Sequence, residues 1–94
     1  MSVSPNFSID LSGQVAFVTG TTSGLGKRFA TVLAACGAKV AIAGRRAERL
    51  EELAAELRLM GAQVMTVPLD VTDTDALFAA VAAVEDELGT IQIL

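Results

Sequence analysis

Eight consecutive residues, Thr19-Gly20-Thr21-Thr22-Ser23-Gly24-Leu25-Gly26, form the pattern in this chain best suited to chemistry. The apolar run Gln14-Val15-Ala16-Phe17-Val18 leads into them, and Leu25, Phe29, Val32, Leu33 and Cys36 follow at helical spacing. A glycine-rich turn therefore joins a buried strand to an amphipathic helix. The first N–H groups of a helix have no partner within it, and the aligned peptide dipoles give that end partial positive charge, so such a turn is suited to hold a phosphate. Gly20 permits the tight exit from the strand, Gly24 lets the backbone approach a pyrophosphate, and Gly26 lets the helix pack close to the sheet. The competing reading is a tight connection with no ligand; the strand, helix and second strand at the right spacing favour the phosphate. An ATP-binding P-loop is excluded twice, because Thr21 stands where its first glycine is required and Arg28 where Ser or Thr must follow the lysine. Lys27 then reads as a solvated helix residue.

Other chemistry is scarce. The chain has no His and no Tyr, two of the commonest acid–base side chains, so no catalytic residue is assigned within it. Cys36 is the single cysteine; it cannot close an internal disulfide, no Cys/His set offers a metal site, and its position on the apolar stripe reads as core packing. That usage suits a reducing compartment. Net charge is -4, which argues against a general nucleic-acid binder, and all seven basic residues (Lys27, Arg28, Lys39, Arg45, Arg46, Arg49, Arg58) fall between positions 27 and 58. Residues 1–10 are polar with Pro5 and lack the apolar core of a signal peptide, and no later run reaches the length of a membrane span. These features point to a soluble cytoplasmic protein with neither nucleic acid nor membrane as partner.

The elements that must position the glycine turn follow from periodicity. The chain has 94 residues, 52% of them hydrophobic, with four Phe and no Trp, so one small domain is built from Val, Leu, Ile and Ala, as suits parallel strands covered by helices. Residues 1–12 read as a flexible arm, and Ser12-Gly13 turns it into the first strand. The helix after the glycine turn spans about residues 24–36 and closes at Gly37; a second strand occupies 39–43. Leu50, Leu53, Leu57 and Met60 form the stripe of a second helix that begins at Ala47 and ends at Gly61. Residues 63–69 form a third strand, placed at a sheet edge by Pro68. Thr72 and Asp75 have capping-box spacing, and Leu77, Val81, Val84 and Leu88 give a third helical stripe, closed by Gly89 before a fourth strand over 91–94. The order βαβαβαβ predicts a parallel sheet in the order 3-2-1-4 with right-handed crossovers. Its last strand lacks an outer neighbour and much of one face is left bare, as in part of a larger domain; an isolated chain of this kind is expected to self-associate.

The glycine segment resembles the TGxxxGxG fingerprint of the classical short-chain dehydrogenase/reductase family, and Leu11-Ser12-Gly13-Gln14-Val15-Ala16 resembles its lead-in. Ala43-Gly44-Arg45-Arg46 with Arg49-Leu50-Glu51-Glu52-Leu53 is similar to the family segment after strand two, Leu69-Asp70-Val71-Thr72 to the end of strand three, and Gly89-Thr90-Ile91-Gln92-Ile93-Leu94 to the approach to strand four. Departures are small: Thr21 and Thr22 stand where Ala and Ser are common, and Gln92 replaces the usual Asp, which puts a fold-stabilising contact in doubt.

The resemblance implies an α/β fold, a Rossmann-type doubly wound parallel sheet present as its N-terminal βαβαβαβ half, with residues 13–94 a partial dinucleotide-binding domain that breaks off at the fourth strand. It also implies roles. Thr22, Ser23, Gly24 and Leu25 line the pyrophosphate and ribose-phosphate, and Asp70 with Val71 borders the adenine; the alternative role for Asp70 is electrostatic, at a helix N-terminus. A site for NAD(H) has an acid at the end of strand two, which holds the ribose hydroxyls and repels a 2′-phosphate. Here Gly44 takes that position, followed by Arg45 and Arg46, so NADP(H) is expected over NAD(H), with Arg45 as the main reader; the alternative is that both arginines are solvated loop charges. The family's catalytic Ser, Tyr, Lys and Asn fall beyond Leu94, so the expected function is the NADP(H)-binding half of an oxidoreductase that interconverts an alcohol and a carbonyl, inactive by itself and homo-oligomeric in its longer form. The alternative is a non-enzymatic dinucleotide-binding module or fragment that acts through chain–chain contact.

Overall fold

In the computed structural model, residues 10–20 and 24–93 are described. Seven elements follow in order: β1 (Val15–Thr19), α1 (Gly24–Ala35), β2 (Lys39–Gly44), α2 (Ala47–Leu59), β3 (Val64–Pro68), α3 (Thr74–Glu87) and β4 (Ile91–Ile93). The four strands are parallel and ordered β3-β2-β1-β4, so the expected topology is the observed one. Boundaries differ from expectation by a residue, as is usual at frayed ends. Pro68 pairs opposite Gly44 on the edge strand, where its missing N–H interrupts no ladder.

Alternation along the strands sorts the core into two layers. Ala16, Val40 and Ile42 face Ala30, Leu33, Leu50, Leu53 and Leu57 of α1 and α2. Val15, Phe17, Ala41 and Ala43 face the other way, against Leu69, Ala80, Val84 and Leu88. Phe17, Ile42, Leu50 and Leu57 are almost wholly buried, and each such side chain contributes about 1.5–3 kcal/mol of transfer free energy.

Several local features position the layers. Gly37 has φ +96°, the left-handed conformation that ends α1, and a Cβ there would lie 3.1 Å from Ser12 Oγ. The Leu11 N–H donates to the Cys36 carbonyl at 2.7 Å, so the entry to β1 is held against the end of α1. Cys36, expected in the core, is half-buried and belongs to neither core layer. Gln92 still accepts from the Val15 N–H, at 3.4 Å, so a contact between β4 and β1 persists where the family's Asp is replaced.

Three expectations need correction. Leu25 and Phe29 belong to the helical stripe but are 80% and 55% exposed; α1 buries Ala30, Leu33 and Ala34 instead. Phe29, with Val18 and Ile93, borders an apolar hollow of about 190 Å³ instead of packing into the core. Met60 is half-exposed because it is the C-cap of α2, beyond the last inward turn at Leu57. The cap of α3 is Asp73 and not Thr72: Asp73 Oδ1 accepts from the Ala76 N–H at 3.1 Å, while the Thr72 hydroxyl is engaged by Asp70. Replacing Asp73 with Ala is therefore expected to lower unfolding free energy by about 1 kcal/mol, read from the denaturant midpoint, and Thr72→Ala is expected to cost less. The reverse ranking would return the cap to Thr72.

Candidate dinucleotide site

The carboxyl ends of β1, β2 and β3 converge on one cleft. Gly20 leaves β1 with φ +67°, a conformation that side chains with a Cβ rarely adopt, and so turns the chain toward the start of α1. The end of β2 delivers Gly44, Arg45 and Arg46, the last of these at the N-cap position of α2 with no side-chain cap. Past Pro68, the Leu69 N–H donates to the Gly44 carbonyl at 2.8 Å, which ties the segment 69–71 beside the end of β2. The result is an open cleft of about 830 Å³ lined by Gly20, Gly44, Arg45, Arg46, Arg49, Leu69 and Val71. That volume is within the range of sites for drug-sized ligands and cofactors.

Of the residues expected to bind cofactor, the structure brings Gly20, Arg45, Arg46 and Val71 onto this cleft. Gly24 opens α1, and a Cβ built there meets no atom within 4 Å, so the backbone faces open space on that side. Leu25 is exposed in the same turn and Gly26 is half-buried beside it. Thr22 and Ser23 lie outside the described residues. Asp70 stands next to the lining, with its carboxylate turned to its own loop: Oδ1 accepts from the Thr72 N–H at 3.0 Å and from the Thr72 hydroxyl at 2.7 Å. Arg49 and the buried Leu69 also line the cleft without having been assigned a role from sequence; the i, i+3 spacing of Arg49 from Arg46 was the available signal.

The electrostatics favour an anion. No carboxylate lines the cleft, and the ion pairs among the described residues are elsewhere, Lys27 with Glu56 at 3.6 Å and Arg58 with Glu51 at 3.9 Å. Both pairs are solvent-exposed and contribute little. Hydrogen bonds from Thr72 hold the Asp70 carboxyl below the ordinary aspartate value of 3.8, with a smaller lowering from Arg45. A carboxyl-carbon NMR titration should give a midpoint below 3.8 that rises in Thr72→Val. The sign follows from linkage: a depressed folded-state value makes this turn's stabilisation fully present above the unfolded value and lost as pH falls through the folded one. A midpoint unchanged by Thr72→Val would contradict it.

Residues 14–94 match the family model for short chain dehydrogenase. The chain belongs to that family. Among curated relatives, it is 46% identical over 84 residues to the glycine betaine reductase ATRR of Emericella nidulans, covering 89% of this chain and 7% of that protein. It is 43% identical over 84 residues to the gluconate 5-dehydrogenase of Gluconobacter oxydans, covering 89% of this chain and 33% of the relative. The L-sorbose reductase of Gluconobacter frateurii, solved in complex with NADPH and L-sorbose, superposes with a TM-score of 0.84 at 32% identity, covering 90% of this chain and 33% of that one. The chain thus spans a third or less of these proteins. In doubly wound α/β sheets, ligands bind beyond the carboxyl ends of the strands where the strand order reverses. Here that reversal falls between β1 and β4, and Gly20 is the residue that leaves β1. The residues present fit a dinucleotide: a left-handed turn at Gly20 on the wall of a cationic cleft, and open space over Gly24 at the start of α1, where it lines a separate hollow with Lys27 and Arg28.

Proposed function

We propose that this chain is the cofactor-binding portion of an NADP(H)-dependent oxidoreductase that interconverts an alcohol and a ketone or aldehyde. The observation that carries the cofactor choice is the end of β2, where Gly44, Arg45 and Arg46 line a cleft without a carboxylate. A carboxylate there would accept from ribose hydroxyls and repel a phosphate; a guanidinium donates two parallel hydrogen bonds to one. Arg45 is the main reader of the 2′-phosphate and Arg46 its neighbour. Gly20, Thr22, Ser23, Gly24, Leu25 and Gly26 carry the pyrophosphate turn, and Asp70 with Val71 borders the adenine. The L-sorbose reductase solved with NADPH supports this choice of cofactor.

When bound, the nicotinamide supplies or accepts a hydride at the substrate carbon. The chain's own contribution is to hold and orient the adenine end of the cofactor. The alkoxide that develops from the carbonyl needs a proton donor, and this chain, without Tyr or His, offers neither of the two commonest ones. The 94 residues alone are accordingly expected to bind cofactor without turning over any carbonyl. The reading extends to a homo-oligomer in a reducing cytoplasm; among the described residues no helix is long and apolar enough to cross a membrane. Calorimetric titration tests the cofactor choice: NADPH should bind at least about tenfold more tightly than NADH, the value of one good charged contact. Equal affinities, or a preference for NADH, would reject it.

A further inference from the structure

One charged side chain on the cleft has no part in the reading above. Arg49 lies in the first turn of α2, and its backbone N–H donates to the Arg46 carbonyl at 3.2 Å. Arg49 lines the cleft together with Arg45 and Arg46, the two residues that precede α2. Among the described residues none of the three guanidinium groups has a hydrogen-bond or ion-pair partner. Glu48 and Glu52 are close to Arg49 in sequence, yet neither pairs with it. A cation in the first turn of a helix opposes the helix dipole. Glu48 in the same turn complements the dipole, yet it does not pair with Arg49, which is left on the cleft wall.

Resting on the NADP(H) reading, we infer that Arg49 is a third specificity-determining residue, completing a three-arginine recess for the 2′-phosphate. A phosphate monoester carries close to two negative charges at neutral pH and three strong acceptor oxygens. A bidentate Arg45 satisfies two of those oxygens and one unit of charge. Arg46 and Arg49 supply the remaining donors, and Arg49 approaches from the helix side, where a firmly wound turn holds its backbone.

The test is a set of titrations of the full chain with NADPH, NADH, 2′,5′-ADP and 5′-ADP. For Arg49→Gln, NADPH and 2′,5′-ADP should weaken about tenfold while NADH and 5′-ADP stay within about twofold; Arg49→Lys, which keeps the charge, should recover most of the loss. The residue is exposed, so neither change disturbs the core. If Arg49→Gln leaves the NADPH-to-NADH ratio intact while Arg45→Ala collapses it, the role of Arg49 is overturned and the cofactor reading stands. If neither substitution moves the ratio, the cofactor reading itself fails. Equal weakening of all four ligands would assign Arg49 to the shared part of the dinucleotide and also overturn the inference.

Discussion

Arg45→Ala is expected to weaken NADPH binding between about 10- and 100-fold and to leave NADH within about twofold. Arg45 is exposed at the end of β2, on a cleft with no carboxylate among its lining residues. Hydrogen bonds that involve a charged group are worth about 1.5–3 kcal/mol, and each 1.4 kcal/mol is a factor of about ten in affinity. NADH lacks the 2′-phosphate and so loses nothing by the change. Arg45→Lys keeps the charge and discards the planar fork, so it should recover part of the affinity. High salt should narrow the gap between wild type and Arg45→Ala, because the contact is solvent-exposed and screened. A loss shared equally by NADPH and NADH would show that Arg45 reads some part of the dinucleotide other than the 2′-phosphate.

Gly20→Val is expected to abolish binding of both cofactors, by more than about 100-fold, and to lower stability as well. At φ +67° a residue with a Cβ is strained by roughly 1–2 kcal/mol, and a β-branched one more. No atom beyond its chain neighbours lies within 4 Å of that Cβ, so backbone strain is the first cost. The chain can relieve it by moving the exit of β1, and this shifts the start of α1 away from the pyrophosphate. Gly24→Ala separates the two effects. Gly24 is helical, its φ is not positive, and a methyl there meets no atom of the chain within 4 Å. Folding should be unchanged or improved by up to about 1 kcal/mol, the helix preference of Ala over Gly, while both cofactors bind more weakly because the methyl occupies the pyrophosphate's approach. Gly24→Ala should leave the NADPH-to-NADH ratio unchanged. Full retention of NADPH affinity in Gly24→Ala would remove the pyrophosphate from this turn.

Much of this architecture was legible in the sequence because its signals are local. The strand before Gly20, the glycines that close each helix and Pro68 at the edge act through backbone conformation alone, and from them the parallel sheet in the order β3-β2-β1-β4 could be written down. Periodicity was less informative where burial depends on a neighbour. It marks the stripe of α1 that prefers burial, but it does not tell whether anything covers Leu25 and Phe29. The capping-box spacing of Thr72 and Asp75 misplaced the cap of α3 for a different reason: the Thr72 hydroxyl is held by Asp70, a contact outside the helix, and Asp73 takes the cap. Arg49 was hidden by its position: an arginine one turn into a helix reads as surface charge until the end of β3 is seen to form the other wall of the cleft.

The central claim is that the arginine-lined cleft receives the 2′-phosphate, and phosphorus NMR of bound NADP+ addresses it directly. A phosphate monoester takes up its second proton near pH 6. Held among guanidinium groups, the dianion is favoured, so the titration midpoint of the 2′-phosphate resonance should fall well below that of free NADP+, and Arg45→Ala should move it back toward the free value. A midpoint in the complex equal to that of the free cofactor would mean that the phosphate stands in solvent and that Arg45, Arg46 and Arg49 do not hold it.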